Sequence, residues 1–303
     1  MTKPPPRVLA AIATPFEPGG GRIDHALLAD HARWLLASGC DGLVLFGTTG
    51  EAASCSLGER QAALDALVAD GVDPGRLIVG TGLCSVAETV ALTRHAWRAR
   101  VFGVLVLPPF YFKEADAEGL RRHFGGVIAA CGAELPPIHL YHIPQVSGVP
   151  LGPDIVATLL DEHAEAIVGY KDSSGDWSNT AALLERFPGF RVYVGSETLL
   201  LRALAAGGAG VISATTNVQP EAAARLVADW RGPAAKAQQE RLTAVRRAME
   251  AFRPLIGPTK ALLAEIHGRE AWAEPRPPLS PLSSGERARL LADLRALEVP
   301  ALA

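Results

Sequence analysis

Three short stretches carry side chains able to act on a carbonyl compound. Lys171 lies in the run Ile167-Val168-Gly169-Tyr170-Lys171-Asp172-Ser173. An amine attacks a carbonyl only when uncharged, and a free lysine with a pKa near 10.4 is neutral in roughly one molecule in 2,500 at pH 7. Burial among apolar strands disfavours an ammonium and can bring such an amine towards a pKa of about 7–8, where it forms Schiff bases with ketones and aldehydes. Strand alternation puts Gly169, Lys171 and Ser173 on one face and Tyr170 and Asp172 on the other, with Gly169 leaving room below the amine. Taken alone, the strand pattern fits a solvated lysine at a strand end, held by a structural ion pair, somewhat better. Tyr141, in His139-Leu140-Tyr141-His142-Ile143-Pro144, ends another run. From a neighbouring strand it could face Lys171 and relay protons during carbinolamine formation and collapse. As a core tyrosine it would instead bond a backbone carbonyl. Gly47-Thr48-Thr49-Gly50-Glu51 ends a third run. Its glycines permit close backbone approach, and its hydroxyls and N–H groups make a small anion site suited to a carboxylate, or simply a capped tight turn. A P-loop's Gly-Lys pair is missing, so a nucleotide fits less well.

These stretches sit within a rhythm of apolar runs alternating with helix-like segments. Eight runs begin near Val8, Asp41, Leu77, Gly103, Pro137, Ile167, Arg191 and Gly208. They are continuous rather than alternating, as in parallel strands covered on both faces. Amphipathic stretches at 25–38, 85–100, 118–130, 153–160 and 179–187 separate them, Ser85 and Glu88 forming a capping-box pattern. The alternation predicts a (β/α)8 TIM barrel, in which catalytic groups occupy the C-terminal strand ends. The shortest interval precedes the eighth strand. A doubly wound sheet would announce a G-x-G-x-x-G after its first strand, whereas this run ends in Thr14-Pro15-Phe16. Further helices are expected at 220–230, 233–251, 258–266 and 286–297. The expected organisation is a catalytic barrel over 1–218, then the last barrel helix and a C-terminal helical extension over 219–303, in one structural unit.

The chain's 303 residues are 49% hydrophobic and 20% charged, a globular composition. Its 29 basic and 32 acidic residues are interspersed, with no basic block for nucleic acid. Cys40, Cys55, Cys84 and Cys131 form no C-x-x-C pair and read as reduced thiols. The proline-rich start, Met1 to Arg7, is followed by an apolar run too short for a secretory segment, and no run is long enough to span a membrane. A soluble cytoplasmic protein is expected. Metal chemistry is unattractive: His139 and His142 fall on opposite strand faces, and His25, His31, His95, His123 and His163 fall in helical segments expected at the surface.

The ordered set GTTGE at 47–51, PPFYFK at 108–113, YHIP at 141–144, GYKDSSGD at 169–176 and GVIS at 210–213 resembles the dihydrodipicolinate synthase/N-acetylneuraminate lyase superfamily, the class I pyruvate-dependent aldolases. The likeness spans nearly the whole chain. It implies that Lys171 forms the imine, that Tyr141 shuttles protons, and that Thr48 and Thr49, beside Gly47, link the proton relay and hold the pyruvate carboxylate. It further implies that Tyr111 is lent to a neighbouring subunit in a homotetramer of tight dimers, that Gly195 and Ile212 line the ketimine pocket, and that no metal or organic cofactor is needed. Pyruvate and an aldehyde are the implied partners. Val146 stands where dihydrodipicolinate synthases carry an arginine that grips the aldehyde's carboxylate, and His142 stands in place of an asparagine. Ser196-Glu197 stands where sugar-acid lyases place hydroxyl-binding groups. These departures point to a 2-keto-3-deoxy sugar acid or 4-hydroxy-2-oxo acid aldolase. The alternatives are 4-hydroxy-tetrahydrodipicolinate synthase and a keto-deoxy sugar acid dehydratase. Two rivals stand further off. A phosphate-handling isomerase would need an anion site after strands seven and eight, whereas Gly207-Gly208-Ala209-Gly210 precedes strand eight. A regulatory sugar-acid-binding barrel would usually have lost the lysine or the tyrosine.

Overall fold

A computed structural model of the chain describes residues 7–302. The N-terminal stretch read as non-secretory lies outside the described residues up to position 6. Eight parallel strands close in chain order into a barrel: β1 (Arg7–Ala11), β2 (Gly42–Leu45), β3 (Leu77–Gly80), β4 (Gly103–Val106), β5 (Ile138–His142), β6 (Ile167–Asp172), β7 (Arg191–Val194) and β8 (Gly210–Ser213), with β8 paired to β1. The helices are α1 (His25–Ala37), α2 (Leu57–Ala69), α3 (Val86–Arg98), α4 (Ala117–Cys131), α5 (Pro144–Ser147), α6 (Pro153–His163), α7 (Trp177–Arg186), α8 (Leu200–Ala205), α9 (Pro220–Ala228), α10 (Ala235–Glu250), α11 (Ile256–His267) and α12 (Ser284–Ala296). The expected (β/α)8 barrel with a helical C-terminal extension is therefore present. The short interval before β8 holds only the 3-10 turn Glu197–Leu199 and the six residues of α8.

Strand alternation divides the core. Leu9, Val44, Ile78, Leu105, Tyr193 and Ile212 fill the barrel, while Val8, Leu43, Val79, Leu140 and Val211 face the helices. The continuous apolar runs are the consequence of this two-sided burial. Helix α2 escapes a reading by apolar periodicity because its buried stripe is Arg60, Ala63, Leu64 and Leu67. Its start is nonetheless marked by the Ser56/Glu59 capping box. After the barrel, Val245, Met249, Leu262, Leu290 and Leu294 from α10, α11 and α12 form a separate cluster with Val218. Leu263 and Trp272 pack with Ala13 and Leu27 of the barrel. Among the described residues, no helix is long and apolar enough to cross a membrane.

Two expectations about histidines and space need correcting. His31 and His123 are buried rather than on the surface. The Nε2 of His31 lies 3.0 Å from Asn217 Oδ1, and its Nδ1 lies 2.9 Å from His267 Nε2, tying α1 to the β8–α9 loop and to α11. The space below Lys171 is not open either. His139 points into the barrel, and a Cβ at Gly169 would stand 2.5 Å from its ring. The glycine is needed there to admit the imidazole.

Burial pushes the His31 imidazole down to about 3 and the His139 imidazole down to about 4. Both are neutral in the fold, whereas an unfolded histidine takes up a proton near about 6.5, so the unfolded chain binds more protons below that pH. The contribution of these groups to stability is complete above about pH 6.5 and is lost progressively as pH falls towards their folded values. Urea midpoints should drop between pH 7.5 and pH 5, with the ring resonances of both residues not titrating over that range. Flat midpoints would contradict this assignment.

Candidate active site

The C-terminal mouth of the barrel is organised by an irregularity between β5 and β6. Ile138 pairs with Ile167, but His139 pairs with Gly169, so β6 carries one extra residue, Val168. From there Tyr141 pairs with Lys171, and Lys171 with Tyr193 on β7. The Lys171 side chain consequently enters the barrel, is 3% exposed, and holds its Nζ 4.3 Å from the centroid of the Tyr141 ring. Among the described residues no carboxylate oxygen lies within 4 Å of that Nζ. Tyr170, before Lys171 on β6, and His142, after Tyr141 on β5, turn outward. Tyr170 donates to the Leu151 carbonyl at 2.6 Å, and Nδ1 of His142 accepts from the Leu151 N–H at 3.0 Å.

The Tyr141 hydroxyl lies 3.1 Å from Thr48 Oγ1, and either can donate. Thr48 and Thr49 stand on the loop after β2, whose ends, Phe46 and Glu51, both adopt φ of 52°. Non-glycine residues in this left-handed region are costly and persist where surrounding contacts over-determine them. Here Thr14 Oγ1 donates to the Gly50 carbonyl at 2.8 Å. The Glu51 carboxylate accepts from Lys260 Nζ at 2.6 Å and from the Arg276 N–H at 2.8 Å. Lys260, on α11, also donates to the Thr14 carbonyl at 2.9 Å, and both side chains of the Glu51–Lys260 pair are fully buried. Burial pushes the Lys260 ammonium down while Glu51 pulls it back up. The extension beyond the barrel thus pins the threonine loop.

The loop after β6 is shaped by Asp172, which accepts from the Ser174 N–H (3.0 Å), Asn179 (2.8 Å) and Thr180 (2.7 Å). It passes so close to the loop after β7 that a Cβ at Gly195 would stand 2.1 Å from Ser173 Oγ.

Lys171, Tyr141, Thr48, Thr49, Gly195 and Ile212 all line one cavity of about 360 Å³. Gly47 lines an adjoining, mainly apolar cavity of about 250 Å³ that shares Thr48 and Tyr141 with the first. Two residues singled out from the sequence are not brought to the cavity within one chain. Tyr111 is 77% exposed and stacks edge-on against exposed Phe112. Glu197 is a correction. Instead of facing a ligand it is fully buried, because the short 3-10 turn Glu197–Leu199 directs its carboxylate to Ser213 (2.7 Å) and Thr216 (3.1 Å). Sequence reasoning missed Arg246, Glu250 and Arg253, which reach the cavity from α10 and the segment following it. Their local sequence is an ordinary charged helix face, and only the packing of the extension brings them to the mouth. All four cysteines are free, and burial pushes the Cys55 thiol up to about 11 and the Cys40 thiol up to about 12, away from thiolate chemistry.

A closed parallel barrel with a buried lysine, a phenol and a hydroxyl-bearing loop at its C-terminal mouth has the layout of a barrel enzyme with an amine nucleophile. The sequence model described as the dihydrodipicolinate synthetase family matches residues 4–297. The chain is 38% identical over 296 residues to an uncharacterised DapA-like lyase of Chloroflexus aurantiacus, covering 95% of each chain. The solved dihydrodipicolinate synthase from Agrobacterium tumefaciens superposes with a TM-score of 0.90 at 31% identity, over 96% of this chain and 99% of that one. A prophage protein of the dihydrodipicolinic acid synthase family from E. coli K12, solved in complex with pyruvate, superposes with a TM-score of 0.88 at 26% identity, over 97% and 99% of the two chains. The chain belongs to the dihydrodipicolinate synthetase family.

Replacing Lys260 by Met should leave Glu51 as a buried charge lacking its ammonium partner and cost about 3–5 kcal/mol. The double variant Lys260→Met/Glu51→Gln should recover part of that loss in urea denaturation. A double variant no more stable than Lys260→Met alone would show that the pair does not hold the loop.

Proposed function

We propose that the protein is a metal-independent carbon–carbon lyase working through an imine at Lys171. The juxtaposition of the buried Lys171 amine with the Tyr141 phenol, itself bonded to Thr48, carries this reading. The Lys171 nitrogen adds to C2 of pyruvate, and loss of water gives the imine. Removal of a C3 proton gives the enamine, whose C3 attacks an aldehyde carbon to form the new bond. Hydrolysis then releases the product and restores the amine, and cleavage is the reverse. Tyr141, with Thr48, delivers and collects the protons of carbinolamine formation and collapse. Thr49 and the loop N–H groups hold the keto acid's carboxylate, while Gly195 and Ile212 border the imine.

A 2-keto-3-deoxy sugar acid or a related 4-hydroxy-2-oxo acid is the proposed substrate class. Val146, 56% exposed at the cavity edge, offers the acceptor no positive charge. The synthase reading draws support from the likeness to the dihydrodipicolinate synthase of Agrobacterium tumefaciens. The exposed Tyr111–Phe112 pair supports a subunit interface, here proposed as that of a homotetramer in which Tyr111 completes a neighbouring subunit's site; the cytoplasm is the proposed location. Barrel and extension act as one unit in this proposal, since Lys260 of α11 holds the loop that carries Thr48 and Thr49.

Incubation with pyruvate and borohydride should fix a reduced adduct on Lys171 in a peptide map. Lys171→Ala should abolish it, and Tyr141→Phe should lower kcat by about 10²-fold or more, a general acid–base effect. An adduct on another lysine, or none, would refute the assignment. Sedimentation should give a tetramer that Tyr111→Phe preserves while losing activity, and a fully active monomer would remove the shared-tyrosine proposal.

A further inference from the structure

Arg246 spans the barrel mouth from α10. Its Nε donates to Glu250 Oε1 at 2.9 Å, and its Nη1 donates to Ser213 Oγ at 3.2 Å and to the Gly195 carbonyl at 3.5 Å. Glu197 Oε2 lies 3.6 Å from Nη1. A guanidinium has five N–H donors, and these contacts leave the two on Nη2 without a hydrogen-bond partner among the described residues. The side chain is only 9% exposed, and it lines the same cavity as Lys171. Ser196 and Thr198, whose hydroxyls lie 2.9 Å apart, line that cavity as well.

The charge around this guanidinium is already balanced. Arg253 pairs with Glu250 at 2.9 Å, so two cations, Arg246 and Arg253, stand with two carboxylates, Glu197 and Glu250. A substrate carboxylate entering here would shed water beside two acidic groups and gain no net positive charge. A hydroxyl would accept from Nη2 without that penalty.

We propose that Arg246 is the specificity-determining contact for the acceptor half of the substrate, its Nη2 donating to a hydroxyl oxygen of a neutral hydroxylated aldehyde and the site disfavouring an acceptor with its own carboxylate. This rests on the imine reading of Lys171. Glu197 and Glu250 orient the guanidinium and cancel its charge, so a buried acid that does not touch substrate still sets which substrate is accepted.

The test pairs pyruvate with glyceraldehyde, propanal or succinic semialdehyde, using wild type, Arg246→Met and Glu250→Gln, with borohydride trapping run in parallel. Wild type should favour glyceraldehyde over propanal by about tenfold in kcat/KM, the worth of one good hydrogen bond. Arg246→Met should bring the two within about twofold, mainly through KM. Glu250→Gln leaves the cluster with one excess positive charge and should raise succinic semialdehyde relative to glyceraldehyde by about fivefold or more. Pyruvate trapping at Lys171 should persist in all three proteins. Its absence in wild type would overturn the imine reading itself. With trapping intact, a glyceraldehyde preference unchanged in Arg246→Met, or a wild-type preference for succinic semialdehyde, would overturn the role of Arg246. If Arg246→Met fails to fold, a Glu250→Gln profile identical to wild type overturns it alone.

Discussion

One extra residue in a strand decides what stands at the centre of this barrel. With regular pairing from Ile138 and Ile167 onward, Tyr141 would lie beside Tyr170, and Lys171 would turn outward beside His142. Val168 shifts the register by one, so the amine faces inward, level with the phenol. A single-residue slip in a sheet exchanges its two faces, which makes the irregularity a switch between a lysine in the barrel and a tyrosine in its place. The close neighbours follow from it. His139 fills the layer beneath and depends on Gly169 to fit.

The second constraint comes from outside the barrel. The threonine loop holds two residues in left-handed conformations, and its acidic end is fastened by a lysine more than two hundred positions away. The extension also supplies Arg246, Glu250 and Arg253 to the cavity. Barrel strands fix Lys171 and Tyr141, while the appended helices fix the loop beside them and supply the paired charges at the cavity mouth. On the proposed imine reading, the strands carry the amine and the phenol, and the appended helices set what surrounds them.

Much of this is legible in the chain. Eight continuous apolar runs separated by helical segments predict the closed barrel, and alternation within the run from Gly169 to Ser173 places Lys171 and Tyr170 on opposite faces, as observed. The register shift at Val168 is not legible, because a bulge leaves no mark in an apolar run. Nor is the Glu51–Lys260 pair, since two charged residues far apart announce nothing until packing joins them. Glu197 shows the reverse error: an acidic residue just beyond a strand end looks like a ligand until its short turn aims it at Ser213 and Thr216. Buried His31 escapes the sequence because an imidazole on an amphipathic helix reads as surface, while its partners Asn217 and His267 lie far along the chain.

The most direct measurement is a crystal structure of the protein soaked with pyruvate. Continuous density is predicted between Lys171 Nζ and C2 of the keto acid, with the carboxylate against Thr48 and Thr49 and the Tyr141 hydroxyl within hydrogen-bond reach of the new imine carbon's substituents. An unmodified Lys171 with pyruvate bound elsewhere, or a β5–β6 register that turns the lysine away from Tyr141, would contradict it.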